Sequence, residues 1–296
     1  MPRARRAAAP PPTGYAQVTS RQAEVSSEAA GPGGAASAVV AVPGAQRLVL
    51  RQLSSSHMGR PQAVAGQAMI WPAALRLTDR LLEAHRALLE KGARVVELGC
   101  GLAMPGMVCA ALGADVLLTD KPDVVPYVEQ RVADNFPGGG VQEAAAGSAR
   151  VAALTWDLES ARRLLRQEGG FDLVICSDGV YAPLYGHSSC TGLAEVVHHL
   201  CGPSTIAVIS FCRRPPQHSE DPYSDDGTDA FLAALEERMH VERVEREPIQ
   251  LGYSQCSLEV VEARLRVESH GTKRGAGSEA EREREAKRPS VAGGYS

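Results

Sequence analysis

The octapeptide R-V-V-E-L-G-C-G, Arg94 to Gly101, constrains this chain more than any other stretch. Its apolar run is strand-length, and it breaks through Gly99 and Gly101 into the apolar stretch Ala103–Leu112, which ends at Gly113. A strand that turns through glycine into a helix is the first half of a βαβ unit. The pattern then repeats. Strands are predicted at Asp115–Thr119, Val151–Thr155, Phe171–Cys176 and Thr205–Phe211. Helices are predicted at Asp123–Asn135, Glu159–Gln167, Leu193–Leu200 and Ala230–Met239. Such alternation implies a mostly parallel sheet with helices on both faces. Two last strands, near Val241–Val244 and Leu258–Leu265, have only a turn between them around Pro248–Gln255. They pair as a hairpin, so one runs antiparallel. Ahead of the main domain, Arg47–Gln67 is expected to form a small β-hairpin and Ala73–Leu82 a helix.

The chain has 296 residues, enough for one large α/β domain, with 44 % hydrophobic and 22 % charged residues. A formal net charge of -4 argues against a general nucleic-acid binder, which needs a basic surface. The 7 cysteines are scattered, without a C-x-x-C pair, and several sit in apolar runs. They read as buried free thiols of a reducing compartment. No apolar stretch is long enough to span a bilayer, so no membrane partner is expected, and residues 1–45 lack a secretory apolar core. Those residues, rich in Ala, Pro, Gly and Ser, read as a disordered tail, with a transit peptide as the rival. Residues 46–267 are the expected folded domain, and 268–296, with Glu-Arg repeats, a charged tail. A cytoplasmic monomer is expected. The organelle, or the nucleus through Lys273-Arg274 and Lys287-Arg288, are the alternatives.

Ligands of an open parallel sheet bind beyond the carboxyl ends of its strands. Four successive predicted strands end in acids: Glu97 before Gly99-Cys100-Gly101, then Asp120, Asp157 beside Trp156, and Asp178 after Ser177. Four carboxylates on one rim repel each other unless a cation binds there. A dinucleotide needs its pyrophosphate at a helix N-terminus, normally through G-x-G-x-x-G. Here Met104 stands at the third glycine and Gly106 comes too late. S-adenosylmethionine has no phosphate and carries an ammonium and a sulfonium, so the acidic rim favours it as cofactor. Asp120 is placed to bind ribose hydroxyls, and Trp156 to stack on adenine. Trp71 is placed to close the methionine end. No ligand-spaced set supports a metal site: His198 and His199 have no partner at the right spacing, and no G-x-S-x-G occurs.

V-V-E-L-G-C-G-L-A-M-P-G, L-L-T-D, L-T-W-D, F-D-L-V-I-C-S-D-G-V-Y and the upstream A-M-I-W-P-A-A-L resemble the protein-lysine methyltransferases of family 16, the methyltransferase-like 21 type. The resemblance covers roughly residues 60–265. Its most specific element is D-x-x-Y, Asp178 to Tyr181. It implies a class I Rossmann-like methyltransferase fold, a seven-stranded sheet of order 3-2-1-4-5-7-6 with strand 7 antiparallel. It implies methylation of lysine on proteins such as chaperones, AAA ATPases or translation factors. By matching position, Trp71, Gly99, Cys100, Gly101, Asp120, Trp156 and Ser177 would contact the cofactor, while Asp178 and Tyr181 would be catalytic. Gly179 stands where relatives carry a bulkier apolar residue, which implies a looser loop. A lysine ammonium has a reference pKa of about 10.4 and must lose its proton before attack. Asp178 is expected to orient the amine and Tyr181 to wall its channel. The alternatives are a methyltransferase for a non-lysine acceptor and a non-catalytic cofactor-binding or chaperone-binding module.

Overall fold

The computed structural model describes residues 18–28, 37–52, 69–136, 147–215, 225–251 and 254–266. Among them the chain opens with an antiparallel sheet of β1 (Glu24–Glu28), β2 (Ser37–Ala41) and β3 (Leu48–Arg51), in that order. This overturns the domain boundary expected at residue 45. Alternation within β2 and β3 sends Ala38, Val40, Leu48 and Leu50 into the main core, in one cluster with Met104 and Val128. Two side chains clamp the segment. Asp79, fully buried in helix α1 (Pro72–Arg80), accepts the Arg21 and Gln22 N–H groups at 2.9 and 3.1 Å and the Ser20 hydroxyl. Asn135, closing α4 (Val125–Asn135), accepts the Val49 N–H at 2.6 Å and donates to the Val49 carbonyl at 2.9 Å. It acts as a neighbouring strand would. Small-residue composition disguised this segment, because its apolar runs are short and their partners lie far along the chain. Of the hairpin expected at 47–67, only β3 falls among the described residues, and it pairs with β2. Residues 1–17, 53–68 and 267–296 lie outside them.

The main sheet has seven strands. In addition to β4 (Arg94–Leu98), it contains β5 (Asp115–Asp120), β6 (Ser148–Ala153), β7 (Leu173–Ser177), β8 (Ile206–Arg213), β9 (Met239–Leu251) and β10 (Ser254–Leu265). Their order is β6-β5-β4-β7-β8-β10-β9, and β10 runs opposite to the other six strands. That is the order 3-2-1-4-5-7-6 when strands are counted from β4. The order reverses at β4, so its carboxyl end and that of β7 flank the crevice.

Helices cover both faces. On one, α1, α3 (Met104–Ala111) and α4 pack over Val95, Val116 and Ile175. On the other, α5 (Leu158–Glu168), α7 (His187–Leu200) and α8 (Thr228–Glu236) pack over Val96, Val174 and Ile209. After α1 a π-helical turn, Leu81–His85, leads into α2 (Arg86–Leu89). Glu262 of β10 meets this turn, 2.8 Å from His85 Nε2 and 2.7 Å from an Arg80 nitrogen.

Two strands depart from expectation. β6 starts and ends earlier than Val151–Thr155, because Leu154 leaves the sheet after its N–H binds the Asp120 carbonyl. β9 is far longer than Val241–Val244. It is the sheet's edge, and its exposed Arg and Glu residues hide the strand from a hydrophobic reading while blunting the edge.

Candidate active site

The glycine loop after β4 is held from three sides. Gly99 has φ +64, a conformation that strains any side chain, and a Cβ there would lie 2.9 Å from Cζ2 of Trp156. The Cys100 N–H binds the Thr119 carbonyl at 2.9 Å, and its thiol is buried. The Gly101 N–H donates to Asp120 Oδ2 at 2.8 Å, while Lys121 N–H takes Asp120 Oδ1 at 2.8 Å. Burial raises the Asp120 pKa, and the two amide donors work against that rise. Beneath the loop lies the buried Arg131, whose pKa burial lowers to about 10 although Asp120 and Cys100 pull it up.

Glu97 points inward rather than onto an open rim. It is fully buried, and its Oε2 accepts the Gly106 N–H at 3.0 Å, while Oε1 has no partner. Burial pushes its pKa up to about 8; the Gly106 amide opposes this and Asp120 adds to it. The approach requires glycine, since a Cβ at 106 would meet Oε2 at 2.4 Å. The start of α3 is thereby closed to phosphate. Pro105 has no N–H, and the Gly106 N–H is taken. A buried carboxyl with a free oxygen, backed by Asp120, instead fits a cation. The residues therefore suit a phosphate-free, positively charged ligand.

The four strand-end acids do not form the bare acidic rim expected of them. Asp157 is the N-cap of α5 and accepts the Ser160 N–H at 2.8 Å and the Ser160 hydroxyl at 2.9 Å. Those bonds, the backbone one foremost, lower its pKa. Its carboxylate serves the helix. Asp178 is ion-paired, with Arg214 Nη2 2.9 Å from Oδ2, and Oδ1 accepts the Cys212 N–H at 3.2 Å. Its own N–H binds the Ser210 carbonyl at 2.8 Å, and its φ of +51 is rare for a residue other than glycine. Such strain persists only where surroundings enforce it, as at functional sites.

Trp156 is half-buried at the crevice, wedged between Gly99 and Gly179 and edge-on to Tyr185 at 6.0 Å. A Cβ on Gly179 would lie 2.7 Å from Cys176 Sγ and 3.2 Å from Trp156 Cη2. The loop is therefore tight, not loose: glycine stands there because the Cys176 thiol, with Leu193 and the indole beside it, fills the space. Ser177 ends β7, half-buried and in register with Ser210 of β8. Trp71 is the half-buried cap residue of α1. Tyr181 opens the short helix α6 (Ala182–Tyr185) and lies under the Arg214 guanidinium at 4.2 Å.

Sequence reading missed Tyr185, Arg214 and Asp226. Burial, helped by Asp178, raises the Tyr185 pKa, and Lys121 Nζ sits 5.5 Å from its ring centre. The buried Asp226 accepts the Arg214 N–H at 2.6 Å and the Thr228 N–H at 2.9 Å. The available signal was Arg213-Arg214 at the end of the fifth predicted strand, after four strands that lead into acids.

Strand order, glycine loop and phosphate-free cation pocket together define a class I S-adenosylmethionine-dependent methyltransferase. Residues 59–237 match the lysine methyltransferase family, and the chain belongs to it. It is similar to the protein N-lysine methyltransferase METTL21A of Danio rerio, 31 % identical over 60 % of this chain and 70 % of that one. It is also similar to the EEF1A lysine methyltransferase 3 of Mus musculus, 31 % identical over 61 % and 67 %. Among solved structures it is similar to a TehB-like methyltransferase from Corynebacterium glutamicum, with 18 % identity, 63 % and 93 % coverage and a TM-score of 0.40. All seven cysteines are free and buried, and no described helix is long and apolar enough to cross a membrane.

Proposed function

We propose that the crevice methylates a lysine side chain of a protein substrate, with Asp178 receiving the acceptor amine and Tyr181 walling its path. The carrying observation is Asp178 itself. It stands in a strained conformation one residue past β7, fixed by Ser210, Cys212 and Arg214. Its two oxygens hold one N–H each, so acceptor capacity remains for an amine. Gly99 to Gly101, Asp120, Trp156, Ser177 and Trp71 surround the cofactor in this reading, and a bound cation would draw the buried Glu97 carboxyl behind it into its charged form. S-adenosylmethionine supplies an electrophilic methyl on a sulfonium. The chain's part is to hold the amine in line and keep water away, an effect of order 10² or more in rate. One relative is named for EEF1A, which makes that translation factor the first substrate to test; chaperones and AAA ATPases follow. Seven buried free thiols suit a reducing compartment such as the cytoplasm.

The test uses labelled S-adenosylmethionine with EEF1A and with cell extract, followed by mass spectrometry of the labelled residue. Asp178→Asn should keep its affinity for S-adenosylhomocysteine and transfer about 100-fold more slowly. Tyr181→Phe should lose less. Transfer by Asp178→Asn at the wild-type rate refutes the assignment. Loss of cofactor binding moves Asp178 into the cofactor pocket, and label on another residue type moves the enzyme to a non-lysine acceptor.

A further inference from the structure

Beside Asp178 sits a positive charge that methyl transfer does not obviously need. The Arg214 side chain is 10 % exposed and that of Asp178 is 9 % exposed. The guanidinium binds one carboxylate oxygen, lies over the Tyr181 ring and donates to the Cys212 carbonyl at 3.2 Å. A carboxylate and an aromatic face are also the two partners a lysine ammonium would seek. We propose that Arg214 is a positioning residue that neutralises Asp178, so that the acceptor lysine is held at this site as the neutral amine. The inference rests on the acceptor reading of Asp178.

An unpaired carboxylate favours the ammonium, which has no lone pair to attack with. Paired with Arg214, Asp178 still accepts a hydrogen bond but no longer stabilises the extra proton. The acceptor ammonium then gives its proton to water. Its nitrogen lone pair bonds to the methyl carbon as the carbon–sulfur bond breaks, and that bonding pair stays on sulfur. The products are a methylated ammonium and a thioether.

Among the described residues, few other charges face the pair. The thiols of Cys176 on β7, Cys212 on β8 and Cys256 on β10, and the Tyr185 phenol on α6, are all pushed up by burial, which favours their neutral forms. Tyr181 supplies the ring beneath the guanidinium. Asp226, before α8, is engaged by the backbone N–H groups of Arg214 and Thr228. Burial opposes the charge on Arg214, but Asp178 outweighs it and the arginine pKa is raised. The guanidinium therefore stays charged across the working range.

The experiment is a pH profile, from 6 to 9, of initial methyl transfer into the protein band that wild type labels in cell extract. Calorimetry with S-adenosylhomocysteine checks the fold of each variant. Arg214→Gln should displace the acid limb upward by about one pH unit, recovering toward wild type at the alkaline end. Asp178→Asn leaves the guanidinium unneutralised and should displace the limb downward while lowering the plateau. A purely structural pair gives losses that are equal at every pH, and parallel profiles overturn the inference. If Arg214→Gln does not bind S-adenosylhomocysteine, Asp178→Asn decides alone: downward displacement supports the inference and an unmoved limb overturns it. Wild type that labels no lysine at any pH removes the acceptor reading, and the inference with it. Labelled lysine with parallel profiles removes the inference only.

Discussion

Glu97 holds its proton to about pH 8 because it is fully buried and one oxygen has no partner. Its folded pKa lies above the ordinary value of 4.5, so between those limits the unfolded chain gives up a proton that the fold keeps. Stability therefore falls as pH rises from 4.5 toward 8. Glu97→Gln removes that titration and retains an acceptor for the Gly106 N–H. Its stability relative to wild type should rise between pH 5 and pH 8, by a difference on the order of a few kcal/mol, read as a rise in relative melting temperature. Thermal scans of ligand-free protein check this, and a pH-independent difference would show that Glu97 is ionised throughout. The sequence placed Glu97, Asp120 and Asp178 at strand ends correctly but set them, with Asp157, on one open acidic rim. Direction of the side chain separates them: one is buried, one ties the loop, one caps a helix and one is ion-paired.

The N-terminal sheet is where packing and composition part company. Asp79 gathers three groups from Ser20 to Gln22 and also pairs with Arg76, whose side chain is 7 % exposed and reaches Glu247 on β9 at 2.6 Å. Asp79→Ala leaves those amides unsatisfied and halves the pairing of a buried arginine. It should cost about 3 kcal/mol, read as a lowered urea midpoint. Deleting residues 1–40 should lower the melting temperature as well, since it removes β1 and nearly all of β2. A truncated protein as stable as the whole would mean that the strands merely rest on the domain. β9 makes the same point at the other end. Its charges suit an edge strand, and the length of the strand emerges only from its partnership with β10.

For the whole domain, the crevice between β4 and β7 decides which ligand the fold can select. With Pro105 and the bound Gly106 at the head of α3, calorimetry should show binding of S-adenosylhomocysteine and no binding of NAD. At a ligand concentration of 100 times Kd the unfolding free energy should rise by about 2.7 kcal/mol. Binding of NAD with no response to S-adenosylhomocysteine would overturn the pocket described above. The sequence by itself determined the βαβ alternation, the antiparallel hairpin at the end, the glycine loop and the kind of cofactor. These follow from local periodicity and from residues adjacent in the chain. Only the tertiary structure decided that the small-residue N-terminal strands belong to the core, and that Gly179 yields its space to Cys176, Leu193 and Trp156. It alone brought Arg214 to Asp178, from 36 residues away. Burial and ion pairing are properties of neighbours in space, and a linear pattern does not contain them.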